Sequence, residues 1–261
     1  MSALDRYVAG ECEAVWSELV APRASSEDED TRAEAQAVAN ETVDRARRNL
    51  QLLHERLLRL GYDFARPNLA FVEANDRTRR HIDEVERRLG GLPILIRTWY
   101  ERIASVDFSQ SRRQCCEMPG HPFGNLGWYP HMMYLPLDEC LERSSQLKHQ
   151  YEEWYRTTHD FMQREGLEAT PPSERKPFLP IGGYASNCEP KGVELPNPAP
   201  DGVLFDDGGG PVYFNQDIRE GFRFGGFPQL APRMRNKWVP ELRHPDPGEL
   251  LSALTEGMLP L

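Results

Sequence analysis

The sequence predicts an α+β fold: a mixed or antiparallel sheet with helices packed against it, preceded by an N-terminal helical segment. Helical periodicities crowd the first part of the chain, short strand candidates crowd the last third, and no regular strand–helix alternation joins them. A doubly wound parallel sheet would need that alternation. The helical segment is expected over 1–61, the α+β domain over 62–230, and a tail packing on that domain over 231–261. A chain of 261 residues buries roughly 70% of the surface its unfolded form exposes, so it needs neither disulfides nor a metal to fold.

The elements follow in order. Tyr7, Val8, Val15, Trp16 and Leu19 place one amphipathic helix over 3–20, with Pro22 past its end. Ser25-Ser26-Glu27-Asp28-Glu29-Asp30 reads as the start of the next, since a Ser oxygen caps free N–H groups and acids complement the dipole. Val43, Ala46, Leu50, Leu53, Leu57 and Leu60 are spaced 3, 4, 3, 4, 3 and lie on one stripe, with Gly61 as its left-handed stop. Under about three heptads is short for a coiled-coil seam, so the stripe is expected to pack within the chain.

A connector carrying Leu69-Ala70-Phe71-Val72 leads to a helix start at Asn75-Asp76, with Ile82, Val85 and Leu89 on its apolar face and Gly90-Gly91 as its stop. Pro93 opens a further helix, in which Ile96, Trp99, Tyr100 and Ile103 line the buried side. Prolines and glycines then punctuate 105–136 as loops and short strands, with a strand candidate at Met132-Met133-Tyr134-Leu135. Leu137-Asp138 begins a long, charged helix ending near Gly166. Strand candidates follow at Phe178-Leu179-Pro180-Ile181, Gly192-Val193-Glu194-Leu195 and 201–205. Asn215 is expected to cap a last core helix holding Ile218 and Phe222, stopped by Gly225-Gly226, and Leu250, Leu251, Leu254 and Met258 give the tail an amphipathic stretch.

Charge narrows the function. Lys plus Arg number 31 and Asp plus Glu 41, a formal net charge of −10. A nucleic-acid binder usually carries a basic surplus, so DNA or RNA is not the expected partner. An acidic surface instead steers a basic protein partner. No stretch approaches the roughly 18 apolar residues of a membrane span. Charges run through what would be the apolar core of an N-terminal signal peptide, so a cytoplasmic chain with reduced thiols is expected.

Chemistry-bearing motifs are sparse. Cys115, Cys116 and His121 lie close together, and His131, Cys140 and Cys188 could join them, but adjacent cysteines are poorly spaced for structural zinc. No Gly-x-Ser-x-Gly elbow is present, and Gly208-Gly209-Gly210 lacks the Lys-Ser/Thr of a phosphate loop. No catalytic residue, metal or cofactor is therefore assigned. Aromatic residues beside glycines, as in Gly127-Trp128-Tyr129-Pro130, either lock a loop onto the core or form a recognition surface.

Ile82-x-x-Val85-Glu86-x-x-Leu89-Gly90-Gly91-Leu92-Pro93, followed by Arg97-x-Trp99-Tyr100-Glu101-x-Ile103, resembles the N-terminal signature of the SUKH superfamily. That superfamily includes a fungal cell-wall synthesis regulator and many bacterial immunity proteins. Tyr134-Leu135-Pro136-Leu137-Asp138-Glu139 is similar to its strand-to-helix step, and Asp217-Ile218-Arg219-x-x-Phe222-Arg223-Phe224-Gly225-Gly226 to its C-terminal helix. The resemblance covers roughly residues 76 to 230, and it departs from the family where Ala104-Ser105 stands in place of a frequent glycine. It implies an α+β fold and a non-enzymatic protein-binding role, neutralising a basic toxin effector by covering its active site. Asp107, Glu117, Trp128, Tyr129, Asp206 and Asp207 are the expected partner-binding residues. The alternatives are a small metal- or thiol-dependent hydrolase built on Cys115, Cys116, His121 and His131, and a regulatory scaffold dimerising through 43–60.

Overall fold

A computed structural model describes residues 1–21, 29–111, 132–166, 170–182, 191–205, 211–227, 230 and 247–261. The architecture is α+β, with an N-terminal helical segment and two small antiparallel sheets. The segment expected as one helix over 3–20 is two, α1 (Ala3–Val8) and α2 (Cys12–Leu19). Gly10 breaks the pattern by taking φ 106°, a conformation other side chains resist. The long helix α3 (Glu29–Arg59) buries Val43, Ala46, Leu50, Leu53 and Leu57 completely. Each such leucine contributes roughly 1.5–3 kcal/mol by leaving water. Leu60, the sixth member of the predicted stripe, is beyond the helix and exposed. Because the stripe is covered by the chain itself, 43–60 offers no open dimer seam.

The first sheet has the order β1 (Phe71–Glu73), β2 (Ile103–Asp107), β3 (Met133–Tyr134). Between β1 and β2 run α4 (Asp76–Leu89) and α5 (Ile94–Arg102). Asn75 starts α4 by accepting from the backbone of Arg77 and Thr78, while Thr78 returns a bond to the Asn75 backbone. Gly90 ends it at φ 98° against Pro196, whose Cβ leaves no room for another side chain. Pro93 is the cap of α5 rather than its first turn.

The long helix α6 (Leu137–Arg164) begins directly after Pro136. It leads to the second sheet, ordered β4 (Phe178–Pro180), β5 (Gly192–Glu194), β6 (Val203–Phe205), β7 (Val212–Tyr213). A Tyr134–Gly182 bridge and the Leu135 N–H to Ile181 carbonyl bond of 2.9 Å couple the two sheets. The helix α7 (Phe214–Arg223) follows β7 without a loop, capped by Tyr213. Asn215 is therefore inside its first turn and is not the cap.

The helix α8 (Pro247–Thr255) buries Leu250 and Leu254 beside α3. Beyond it, Asn49 exchanges two 2.8 Å bonds with the Leu259 backbone, and Arg45 donates to the Pro260 carbonyl at 3.0 Å. One apolar cluster runs from Tyr7 through both sheets to Leu261. Among the described residues no helix is long and apolar enough to cross a membrane.

Candidate functional site

Only one of the expected partner-binding residues is among those described. Glu117, Trp128, Tyr129, Asp206 and Asp207 lie outside them, as do Cys115, Cys116, His121, His131 and Cys188. Asp107 ends β2 and is 2% exposed. Its Oδ1 accepts from the Ser109 N–H at 2.9 Å and from the Ser109 hydroxyl at 2.6 Å, and its Oδ2 accepts from Arg66 Nε at 2.5 Å. Arg66 also reaches Glu139 on α6 at 3.2 Å, and Arg143 closes the chain onto Glu139 at 2.6 Å. A carboxylate this buried and this occupied holds the end of β2 against α6 and is closed off from solvent.

The other buried polar groups are committed in the same way. Lys191 Nζ donates to Asp217 Oδ1 at 2.6 Å and the Tyr134 hydroxyl donates to Oδ2 at 2.9 Å. Burial pushes the Tyr134 hydroxyl far above its usual range, and the neighbouring Asp217 adds to that rise, so it stays a donor. The described cysteines, Cys12 and Cys140, are buried and free. Burial lifts the Cys12 thiol and pushes Cys140 up to about 12. Both remain thiols, which are poor nucleophiles and poor metal ligands. Among the described residues no group of three or more His, Cys, Asp or Glu could hold a metal ion.

Asp201 is tied to the start of α7. Its Oδ1 accepts from the Gly202 N–H at 2.8 Å, and its Oδ2 accepts from the Asn215 N–H at 3.1 Å and from the Asn215 side-chain amide. Burial pushes the carboxyl from 3.8 to about 7, against the pull of these donors and of Arg219. The unfolded chain therefore releases this proton first, and the folded state is disfavoured as pH rises between those two values. The stability advantage of the native chain over Asp201→Asn should shrink from about pH 4 to about pH 7 and then stay level. Urea unfolding across that range measures it; an advantage independent of pH would refute the assignment.

The second sheet supplies a surface the sequence did not single out. Its register pairs Leu179 with Val193 and Val193 with Leu204, and all three point into the core. The alternate positions face outward. Phe178 lies opposite Glu194, Gly192 opposite Phe205, and Val203 opposite Tyr213. Gly192 has no room for a Cβ because the Phe178 ring lies across it. Phe205 is 43% exposed and Tyr213 is 37% exposed, with half-buried Val203 opposite Tyr213, and with half-buried Phe178 and exposed Glu194 on the two strands beyond Phe205. Strands of three residues are too short for alternation to reveal this face, and Val203-Leu204-Phe205 is apolar throughout. Only the strand pairing sorts inward from outward.

No family model, curated protein or solved structure matches the chain.

Proposed function

We propose that this chain is a non-enzymatic protein-binding module acting in the cytoplasm, of the immunity-protein kind suggested by its SUKH-like motifs. It covers the active site of a basic toxin effector, and the outer face of β4–β7 is its contact surface. The observation that carries this reading is the placement of two exposed aromatic rings and the acid Glu194 on the outer face of the second sheet. Phe205 and Tyr213 supply the large side chains that dominate binding energy at interfaces. Glu194 stands on the same face, and Asp206-Asp207 follow Phe205 directly in the chain. These acids, within a net charge of −10, raise the association rate with a basic partner and make it salt-dependent.

The experiment is capture from the native host with the full tagged chain, followed by identification of the retained protein and an assay of its own activity. A basic effector should be retained at low salt, released by moderate salt, and inhibited by the native chain. The exposed-face variant Phe205→Ala/Tyr213→Ala should inhibit it about thirtyfold more weakly, the equivalent of about 2 kcal/mol. Equal inhibition by a folded double variant would remove this face from the site, and a partner whose activity the native chain leaves intact would sink the neutralising role.

A further inference from the structure

We propose that the cleft between the α1–α2 turn, α7 and the last residues of the chain is a binding site for an apolar carboxylate, with Arg219 as its anion-binding group. The site is separate from the outer sheet face and does not rest on the partner-binding reading. The cleft has a volume of about 530 Å³, inside the roughly 300–1,000 Å³ range of small-molecule sites. One wall is Gly10 to Glu13, a second is the Gln216–Arg223 side of α7, and the third is Thr255 with Met258 to Leu261.

Arg219 brings a positive charge to the inner wall of this space, held only by a long ion pair. Its side chain is 22% exposed, and its nearest acid is Glu13 at 3.8 Å. Among the described residues its guanidinium makes no hydrogen bond. Its guanidinium carries five donors, and an anion in the cleft would give them acceptors. Its field already reaches inward, holding Cys12 and Asp201 lower than burial alone would.

The other charges select the ligand class. Glu220 pairs with Arg223 at 3.5 Å on the rim, and the Glu13 side chain is 82% exposed beside the opening. Two acids balance two arginines on this lining, so the cleft holds no surplus positive charge for a phosphate dianion and suits a single negative charge better. A carboxylate matches the planar fork of Arg219. Met258, Leu259 and Phe222 supply the apolar wall for the rest of the molecule. Such a carboxylate comes either from a free organic acid or from the C-terminus of an apolar peptide.

Octanoate titrated calorimetrically into the full chain at fixed ionic strength is the test, with octanol and inorganic phosphate as companion probes. Octanoate should saturate one site, with octanol and phosphate at least about tenfold weaker. Arg219→Gln should weaken octanoate by about tenfold or more. Leu259→Glu, a change at an exposed rim position that keeps Arg219, should weaken it similarly by repulsion. It decides the matter if the Arg219 variant does not fold. A peptide ending in a free leucine carboxylate, compared with its amide, identifies the source. Tighter binding than octanoate, lost in the amide, assigns a protein terminus, and weaker binding assigns a free acid. No saturation by about 10 mM octanoate, or unchanged affinity in a folded Arg219→Gln or Leu259→Glu chain, overturns the proposal.

Discussion

Trp99→Ala should lower the unfolding free energy by about 3 kcal/mol and the melting midpoint by roughly 10 °C. Trp99 is fully buried on α5 and meets Tyr134 edge-on at 4.9 Å and Phe214 edge-on at 5.5 Å. Tyr134 and Phe214 are themselves 5.4 Å apart, so three rings from α5, β3 and α7 interlock where the two sheets join. Truncation removes the central ring and leaves a cavity that backbone from three elements would have to shift to fill. The loss falls at the lower end of the range for a buried tryptophan for a specific reason. The Trp99 Nε1–H is buried with no hydrogen-bond partner among the described residues, an unfavourable feature that truncation also removes. Trp99→Phe should therefore cost much less than Trp99→Ala. The contrast is Trp154→Ala on α6, 41% exposed, which should stay within about 1 kcal/mol of the native chain. Thermal and urea unfolding decide it; equal effects at Trp99 and Trp154 would mean that the three-ring junction is not the centre of the core.

The second large effect is expected at Asp217. Asp217→Ala removes the acceptor of both the Lys191 ammonium at 2.6 Å and the Tyr134 hydroxyl at 2.9 Å. Asp217 is 3% exposed, and the Lys191 side chain 21%. Breaking such a pair from one side costs about 3–5 kcal/mol, because the surviving charge keeps its desolvation and loses its partner. Lys191→Met should cost less, since a carboxyl can take up a proton and continue to accept from Tyr134. The double variant should cost less than the sum of the singles, because each leaves the other's partner stranded. Additive effects in urea titrations, each below about 1 kcal/mol, would show that the pair does not hold α7 to β5.

The helical half of the fold was legible because its signals are long or local. The α3 stripe repeats over several turns, the Asn75 cap and Gly90 stop of α4 need only a few neighbouring residues, and Pro136 marks where α6 begins. The break between α1 and α2 escaped because apolar residues on both sides of Gly10 fit one continuous stripe; only the backbone angle at Gly10 separates them. Asn215 has the right residue type for a cap, but the chain enters α7 straight from β7, and its side chain is drawn to Asp201. The site was much less legible. In sequence Asp107 is one acid of an expected acidic, aromatic-bearing face, yet Arg66 and Ser109 enclose it. The Lys191–Asp217 pair spans 26 positions in a chain with 41 acids, so nothing local marks it. The outward rings Phe205 and Tyr213 depend on register between strands of two and three residues, which no periodicity can carry.

The bonds joining Asn49 to Leu259 tie residues 210 positions apart, and Arg45 reaches Pro260 across 215. A ribosome delivers α1, α2 and α3 long before it delivers the segment that seals them. The face of α3 that finally receives α8 is thus open to solvent, and to chaperones, for most of synthesis. Late closure of so distant a contact slows folding through the entropy of bringing its ends together. Loss of α8 would leave the nascent form of α3, apolar stripe partly uncovered, as the lasting state of the chain, and aggregation during translation is the expected cost.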